Sequence, residues 1–225
     1  MANPSNVQQK IGMICIVCYI GFYCCILIAM LLYPGGTNAD PSTIGFTFWD
    51  NFVSDLITQN ARSGANNTAS YVIAGIGFVA FAIANVLLAI GLFRKAFNNS
   101  IEKGCTKIAS VILTGSAVFL VLLLYFTKDT GIAMHRTIAT LSFLTGGIGA
   151  TLLVIGAIAR KSTPRIVMSL LLILAIFAWI NMIINIGAPP TSALAAGVQK
   201  LALFGLVALL LTIAVEMRSE AALSK

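Results

Sequence analysis

The sequence predicts an all-α membrane protein, built as a bundle of six transmembrane helices with one short amphipathic helix on its outer face. Of its 225 residues, 59% are hydrophobic and only 9% are charged, and the mean hydropathy is +0.97. Soluble domains carry about 25% charged residues. The apolar residues also fall into six long runs separated by polar gaps. About 20 apolar residues suffice for a helix to cross the hydrocarbon core of a bilayer.

The predicted spans follow one another along a single membrane domain, residues 1–225. They are Ile11–Tyr33, Ala69–Leu92, Ile108–Phe126, His135–Ala159, Ile166–Ile186 and Gln199–Val215. We do not expect the first span to be a cleaved signal peptide, because its apolar run exceeds the roughly 7–15 residues of a signal-peptide core. Pro34–Gly35–Gly36 follows this span and is typical of a helix stop.

The basic residues predict the orientation. Six spans place both termini on one side, and the positive-inside rule selects the cytoplasmic side of the cell membrane. Ten basic residues then lie inside: Lys10, Arg94, Lys95, Lys103, Lys107, Arg160, Lys161, Arg165, Arg218 and Lys225. Four lie outside: Arg62, Lys128, Arg136 and Lys200. The formal charge of +7 therefore reflects topology. We expect no nucleic-acid partner, because the basic residues lie in short loops beside the spans.

The outer segment, residues 34–68, is too long to be a bare turn. The sequence predicts an amphipathic helix over 48–58 within it. Its apolar face comprises Trp49, Phe52, Val53, Leu56 and Ile57, and its polar face Asp50, Asn51, Ser54 and Asp55. Thr47 and Asp50 have the spacing of a capping box at its start. We expect this helix at the membrane interface, with Trp49 at the level of the headgroups.

Small residues in the fourth span predict a close helix contact. The run is Thr145–Gly146–Gly147–Ile148–Gly149–Ala150. Small side chains let two helix backbones approach within a membrane. The same glycines are also compatible with room for a lipid chain, and the sequence leaves both possibilities open.

The five cysteines are not expected to form a disulfide framework, because four of them lie inside the first span. Cys15, Cys18, Phe22 and Cys25 share one helix face. Cys15 and Cys18 suit either a metal or redox site or simple packing against a neighbouring helix. We expect packing, because no second pair of ligands occurs elsewhere.

Polar side chains gather at the outer end of the predicted bundle and form the candidate site. His135 begins the fourth span, Asp129 precedes it, and Asp55 lies on the predicted outer helix. An imidazole and carboxylates are groups that general acid–base catalysis uses, so these three are the candidate catalytic residues. The candidate ligand-binding residues at the same end are Arg136, Asn181, Asn185 and Lys200. The two cations among them suit an anionic lipid headgroup.

Each of these residues also has a structural explanation. Asp129 fits a helix cap, Asn181 and Asn185 fit hydrogen bonds between helices, and Lys200 fits a side chain that extends to lipid phosphates. We expect no metal and no cofactor. The chain has a single histidine, and it contains no phosphate-binding loop or dinucleotide fingerprint.

Three short motifs resemble those of a family of six-span archaeal and bacterial membrane proteins, classed as a domain of unknown function. They are the Pro34–Gly35 start of the outer segment, the Ser54–Asp55–Leu56 triplet, and Phe126…Asp129…His135 leading into a small-residue helix. The pattern is also distantly similar to DRAM/Sfk-type membrane proteins. The resemblance covers about residues 11–215 and implies roles in lipid handling or membrane organisation. It adds Ser54 to the candidate ligand-binding residues.

Two hypotheses of function follow. The first is a non-enzymatic membrane protein that organises lipids or binds a partner at the outer face. Membrane lipids, a second copy of the chain or another membrane protein are the partners it allows. The second is an intramembrane lipid-modifying hydrolase that uses Asp55, Asp129 and His135. It requires these three side chains to converge around a cavity. A transporter is a third and less favoured hypothesis, because no inverted repeat is visible.

Overall fold

The computed structural model describes residues 4–95, 97, 99–160 and 193–223, together with scattered positions between 172 and 184. Five long helices form its framework: α1 (Pro4–Leu32), α2 (Thr68–Arg94), α3 (Ser100–Tyr125), α4 (Ile132–Arg160) and α5 (Ala193–Leu223). All five are long and apolar enough to cross a membrane. The predicted all-α architecture is therefore confirmed for the described part of the chain, and five of its helices are suited to cross a membrane.

The helices extend beyond most of the predicted span ends. α3 begins at Ser100 rather than Ile108, because the Asn99 side chain accepts hydrogen bonds from two backbone N–H groups of its first turn, at 2.8 and 3.1 Å. α5 likewise exceeds its predicted span at both ends. The predicted span Ile166–Ile186 lies outside the described residues, apart from isolated positions, and stays a prediction.

Consecutive helices from α1 to α4 pack side by side, and α5 packs on α1. The Tyr19 hydroxyl of α1 donates to Asn85 Oδ1 of α2 at 3.0 Å, with both side chains buried. The Tyr23 hydroxyl of α1 donates to the Phe204 carbonyl of α5 at 2.5 Å. Polar groups inside a bilayer are costly unless paired, so these two bonds both satisfy the tyrosines and fix α1 between its neighbours.

α4 meets its neighbours closely at three glycines, with Gly149 and Gly156 against α3 and Gly146 mainly against α5. A Cβ at Gly149 would lie 3.1 Å from the Leu113 side chain, and one at Gly156 would lie 3.4 Å from the Thr106 hydroxyl. Side chains of α3 therefore fill the space beside Gly149 and Gly156, and at Gly146 a Cβ would lie 3.0 Å from the Leu206 side chain of α5. The geometry agrees with close helix packing rather than with room for a lipid chain.

Ion pairs join four helix termini at one end of the bundle, here called the basic end. Arg160 of α4 pairs with Glu216 and, at 2.6 Å, with Glu220, both in α5. Lys95, which follows α2, pairs with Glu220 at 2.7 Å. The buried Glu102 of α3 lies 3.9 Å from Lys95 and 4.0 Å from Arg160. The opposite end, here called the capped end, lies beneath residues 34–67.

Segment 34–68 is a folded loop, so the predicted helix over 48–58 is wrong. The segment contains one turn of 3-10 helix, Val53–Asp55. The predicted polar face is not uniformly exposed, because Asn51 and Asp55 are both fully buried, whereas Asp50 is exposed. The Asn51 and Asp55 side chains each accept a hydrogen bond from a backbone N–H within the segment. Such local bonds compete with helix formation, which explains why the helix does not form.

The apolar side chains of that stretch nevertheless pack on the bundle. Leu56 and Ile57 are completely buried, and Phe52 contacts Ala195 and Ala196 of α5. Trp49 stays 56% exposed. Four of the five residues of the apolar stripe are therefore buried and Trp49 is the exception, although the backbone between them is not helical.

The cysteines of α1 include one at a tight helix contact. Cys15 is completely buried, and its thiol donates to the Ala84 carbonyl of α2 at 3.5 Å. Across the residues that can be described, no three His, Cys, Asp or Glu side chains lie together so as to hold a metal ion. This environment agrees with a packing role for Cys15.

Candidate functional site

Hydrogen bonds between side chains of segment 34–68 and backbone groups of the same segment hold it in a defined shape. Gly36 has φ +83°, and a Cβ there would collide with the backbone of Ser63, so the close approach requires glycine. The Asn51 amide donates to the Gly36 carbonyl at 2.8 Å. The Asn67 amide, which is also buried, donates to the Thr58 carbonyl at 2.8 Å. These bonds give the segment a defined shape, which positions Asp55.

Asp55 lies at the centre of the capped end, and its carboxylate pairs with two cations. Its Oδ1 accepts from Lys128 Nζ at 2.6 Å and from Arg62 Nε at 3.1 Å. Its Oδ2 accepts from the Phe52 backbone N–H at 2.8 Å and from Asn51 Nδ2 at 3.5 Å. Because Lys128 belongs to the loop between α3 and α4, this cluster ties the segment to that loop.

The cluster favours an ionised Asp55. Burial by itself would raise the pKa of Asp55, but Lys128 and Arg62 outweigh it and hold the pKa below its ordinary value of 3.8. Burial also raises the pKa of the nearby Tyr33 to about 12, and its hydroxyl accepts from the Arg62 backbone N–H at 2.9 Å. A general base must take up a proton near the working pH. The environment of Asp55 is instead that of a structural counter-ion.

Two neighbouring polar residues of α5 support the segment from the bundle side. Gln199 Oε1 accepts from a backbone N–H of the 3-10 turn at 3.0 Å. Lys200 is completely buried, and its ammonium donates to the Asn51 carbonyl and, at 2.7 Å, to a carbonyl of its own helix. The rings of Phe46 and Phe48 lie 5.6 and 5.0 Å from this ammonium. The ammonium of Lys200 therefore has its hydrogen-bond partners inside the protein, in α5 and in segment 34–68.

Asp129 and His135 make separate contacts. The exposed Asp129 accepts from the Gln59 backbone N–H at 2.7 Å. His135 is 3% exposed, and its Nδ1 lies 2.8 Å from the Phe126 carbonyl. A carbonyl oxygen only accepts, so Nδ1 carries a proton, and Nε2 is the acceptor in the neutral ring. Asp55 and His135, both in the described part of the chain, bond to the partners named here and not to each other.

A cavity of about 40 Å³ lies beneath the segment, among α2, α3, α4 and α5. Its apolar walls include Phe78, Phe81, Leu120, Phe143, Leu203 and Leu206. The polar residues that line it are His135, Gln199, Ser54, Ser116 and Ser142. Its mostly apolar lining with a few polar groups has the composition of a small-molecule pocket, but its volume is well below the roughly 300–1,000 Å³ of pockets that enclose a whole ligand.

Of the predicted catalytic residues, His135 lines this cavity, and the predicted ligand-binding residue Ser54 lines it too. Asp55 and Asp129 do not belong to its lining, and both bind backbone groups of segment 34–68. The structure therefore does not bring the three residues of the hydrolase hypothesis together around this cavity.

Two other predicted ligand-binding residues, Lys200 and Arg136, lie outside the lining of this cavity. Lys200 is bonded between α5 and the segment, and Arg136 is exposed in the first turn of α4. Asn181 and Asn185 lie outside the described residues.

Sequence reasoning missed the partners of Asp55. In the sequence analysis, Arg62 and Lys128 serve only to predict the orientation in the membrane. Four acids fall on the same predicted side: Asp40, Asp50, Asp55 and Asp129. Four bases and four acids within short stretches of one face are a signal for ion pairing. Gln199 carried no such signal, because its bond to the 3-10 turn depends on the fold of a distant segment.

The fold and the site define a class: a helical, multi-pass membrane protein with a capped, mostly apolar cavity. No family model matches the chain, and no curated protein or solved structure matches it either. The family resemblance of its short motifs therefore stays a prediction, and the functional argument depends on the geometry of the chain itself.

Proposed function

We propose that this chain is a non-catalytic integral membrane protein that binds a lipid or another slender apolar molecule in the capped-end cavity. The observation that carries the proposal is the composition of the lining, with apolar walls from four helices and an imidazole among them. The cavity volume of about 40 Å³ suits a narrow group, such as part of an acyl chain. The protein would thereby hold or organise lipid at one membrane face.

The use of the charged residues supports binding rather than catalysis. Asp55, Lys128 and Arg62 pair with one another, and the ammonium of Lys200 bonds to backbone carbonyls. Groups that are already paired stabilise a structure, but they are poorly placed to exchange protons with a substrate. The capped end is therefore best explained as a rigid cover over the cavity.

The polarity of the ligand follows from His135. Its Nδ1 donates to the Phe126 carbonyl, which leaves Nε2 as an acceptor in the neutral ring. A hydroxyl group on the ligand would donate to that nitrogen. The ligand that fits best is accordingly an apolar chain that ends in, or carries, one hydroxyl group.

The path of the chain supports a sixth span over 166–186. α4 ends at the basic end, where Arg160 pairs with the last turns of α5, whereas α5 begins at the capped end. The chain must therefore pass from one end of the bundle to the other between residues 160 and 193. The excess of Lys and Arg in the predicted inner loops supports a cytoplasmic basic end, with both termini there, in a cell membrane.

Photo-crosslinking tests the cavity. The full-length protein, purified in detergent, is irradiated with a diazirine analogue of a long-chain fatty alcohol, and labelled peptides are identified by mass spectrometry. We expect labelling of α4 near residues 135–143. Ala139→Phe fills the cavity, because Ala139 belongs to its lining, and should reduce labelling several-fold.

Ala133→Phe is the matched control, since Ala133 is exposed on the same helix and should keep wild-type labelling. Ser142→Leu, which fills the same cavity from a second position, replaces Ala139→Phe if that variant does not elute as a folded protein. Labelling that is unchanged in both cavity variants would contradict the proposal.

A hydrolase remains the alternative, but with a serine in place of the predicted Asp55 and Asp129, and one observation favours it. His135 has a fixed ring orientation and shares its cavity with three serine hydroxyls: Ser54, Ser116 and Ser142. A serine activated by a neighbouring imidazole is a nucleophile. This hypothesis expects a fluorophosphonate probe to label one of these serines, and His135→Gln to abolish the labelling. The binding proposal expects no such labelling.

A further inference from the structure

A second concave site lies on the outside of the bundle, between α2 and α3 near the basic end. It is a groove of about 260 Å³, and its lining includes Ala89, Ile90 and Phe93 of α2 and Val111 of α3. None of its lining residues belongs to the capped-end cavity. The groove is therefore independent of the proposed function.

The polar residues on the groove wall are already bonded within α3. The Ser110 hydroxyl donates to the Thr106 carbonyl at 2.8 Å, and the Thr114 hydroxyl donates to the Ser110 carbonyl at 3.0 Å. Hydroxyls bonded in this way do not require a polar ligand. The wall therefore suits a hydrocarbon chain along its whole length.

Two cations lie at the edge of the groove towards the basic end, Arg94 in its lining and Lys107 beside it over a lining ring. Arg94 ends α2 and lines the groove. Lys107 of α3 extends over the Phe93 ring, with Nζ 4.8 Å from its centroid. The acid of this part of α3, Glu102, is buried and turned towards the ion pairs with Lys95. Within the described part of the chain, no carboxylate pairs with Arg94 or Lys107.

We propose that this groove binds one anionic phospholipid. The phosphate group would lie between Arg94 and Lys107, and an acyl chain would run along Phe93 and Val111. Basic pockets between transmembrane helices recognise anionic headgroups in this way, and long basic side chains reach the headgroup level from the helix ends. Charge complementarity supports a phospholipid over an uncharged lipid, and the apolar wall supports it over a free anion.

The test is native mass spectrometry of the full-length protein, titrated with phosphatidylglycerol and with phosphatidylcholine of the same acyl chains. We expect the first phosphatidylglycerol to bind at least ten times more tightly than phosphatidylcholine. The double variant Arg94→Gln/Lys107→Gln should abolish this preference. The control Lys10→Gln/Arg218→Gln removes two exposed charges from α1 and α5 near the same end and should leave the preference intact.

A third variant separates a built groove from general surface charge. Thr114→Phe keeps both cations but fills the groove, so it should weaken phosphatidylglycerol binding several-fold. Excess inorganic phosphate should not displace the lipid. The proposal would be overturned if the control lost the preference as strongly as the groove variant, if Thr114→Phe had no effect, or if inorganic phosphate displaced the lipid completely.

Discussion

At Asp55 a single carboxylate neutralises two cations that are largely withdrawn from water. The side chains of Asp55, Lys128 and Arg62 are 1%, 11% and 27% exposed. Removing one partner of a buried ion pair leaves an uncompensated charge, which costs about 3–5 kcal/mol. Asp55→Asn should therefore lower the thermal stability of the protein in detergent markedly. Asp50→Asn is the matched control, because Asp50 is exposed, and it should have little effect.

The pH dependence of that stability gives a second readout. The pKa of Asp55 lies below 3.8 in the folded protein, so the unfolded chain binds a proton more readily. The stabilisation is therefore complete above about pH 4 and is lost as the pH falls through the folded pKa. Melting temperatures from pH 6 down to pH 3 should show this loss in the wild type, and Asp55→Asn should lack that component. Parallel curves for the two proteins would exclude the assigned role.

At the scale of helices, two glycines of α2 should respond in opposite ways to the same change. A Cβ at Gly77 would lie 2.9 Å from Cys25 Cβ of α1, whereas nothing lies within 4 Å of a Cβ at Gly75. Gly75→Ala should stabilise α2 by up to about 1 kcal/mol through helix propensity. Gly77→Ala must separate α1 from α2, and overpacking costs about 1–3 kcal/mol. Thermal unfolding of the two variants in detergent checks this, and equal stabilities would exclude tight packing at Gly77.

The helices were predictable because hydropathy and length determine them nearly alone. Segment 34–68 was not, for a physical reason. The stripe through Phe52, Leu56 and Ile57 predicts which side chains are buried, and it does so correctly. It cannot predict that Asn51 and Asp55 bond to nearby backbone groups, because those bonds depend on Gly36 and on cations from other elements. A helical period is thus insufficient evidence for a helix when short polar residues interrupt it.

In the candidate site too, the sequence predicts where residues gather but not which contacts they make. That polar residues gather at one end of the bundle follows from the order of the spans. The order of the spans does not predict which of these residues bind each other, because Lys128 and Gln199 contact segment 34–68 only in the folded bundle. The single histidine was identified as a site residue, and it does line a cavity. Its bond to the Phe126 carbonyl could not be read from the sequence, because it depends on the turn between α3 and α4.

For the whole molecule, the basic end should face the cytoplasm. In a cysteine-free background, a cysteine at position 66 should react with a membrane-impermeant maleimide in intact cells, because Asn66 is exposed at the capped end. A cysteine at position 103, which is exposed near the basic end, should react only after the membrane is permeabilised. The opposite labelling pattern would reverse the orientation and place the phospholipid groove in the other leaflet.

The support that α5 gives to segment 34–68 also sets an order of events during biosynthesis. The hydrogen bond that Val53 N–H donates to Gln199 and the one that Lys200 donates to the Asn51 carbonyl join positions 146 and 149 residues apart. At about 5–20 residues per second, the segment waits on the order of 10 s after its own translation before α5 emerges from the ribosome. During that interval its buried backbone groups lack these partners. Insertion of the last helix is thus the step that completes the cap, and nascent chains halted before it should expose the segment to proteases.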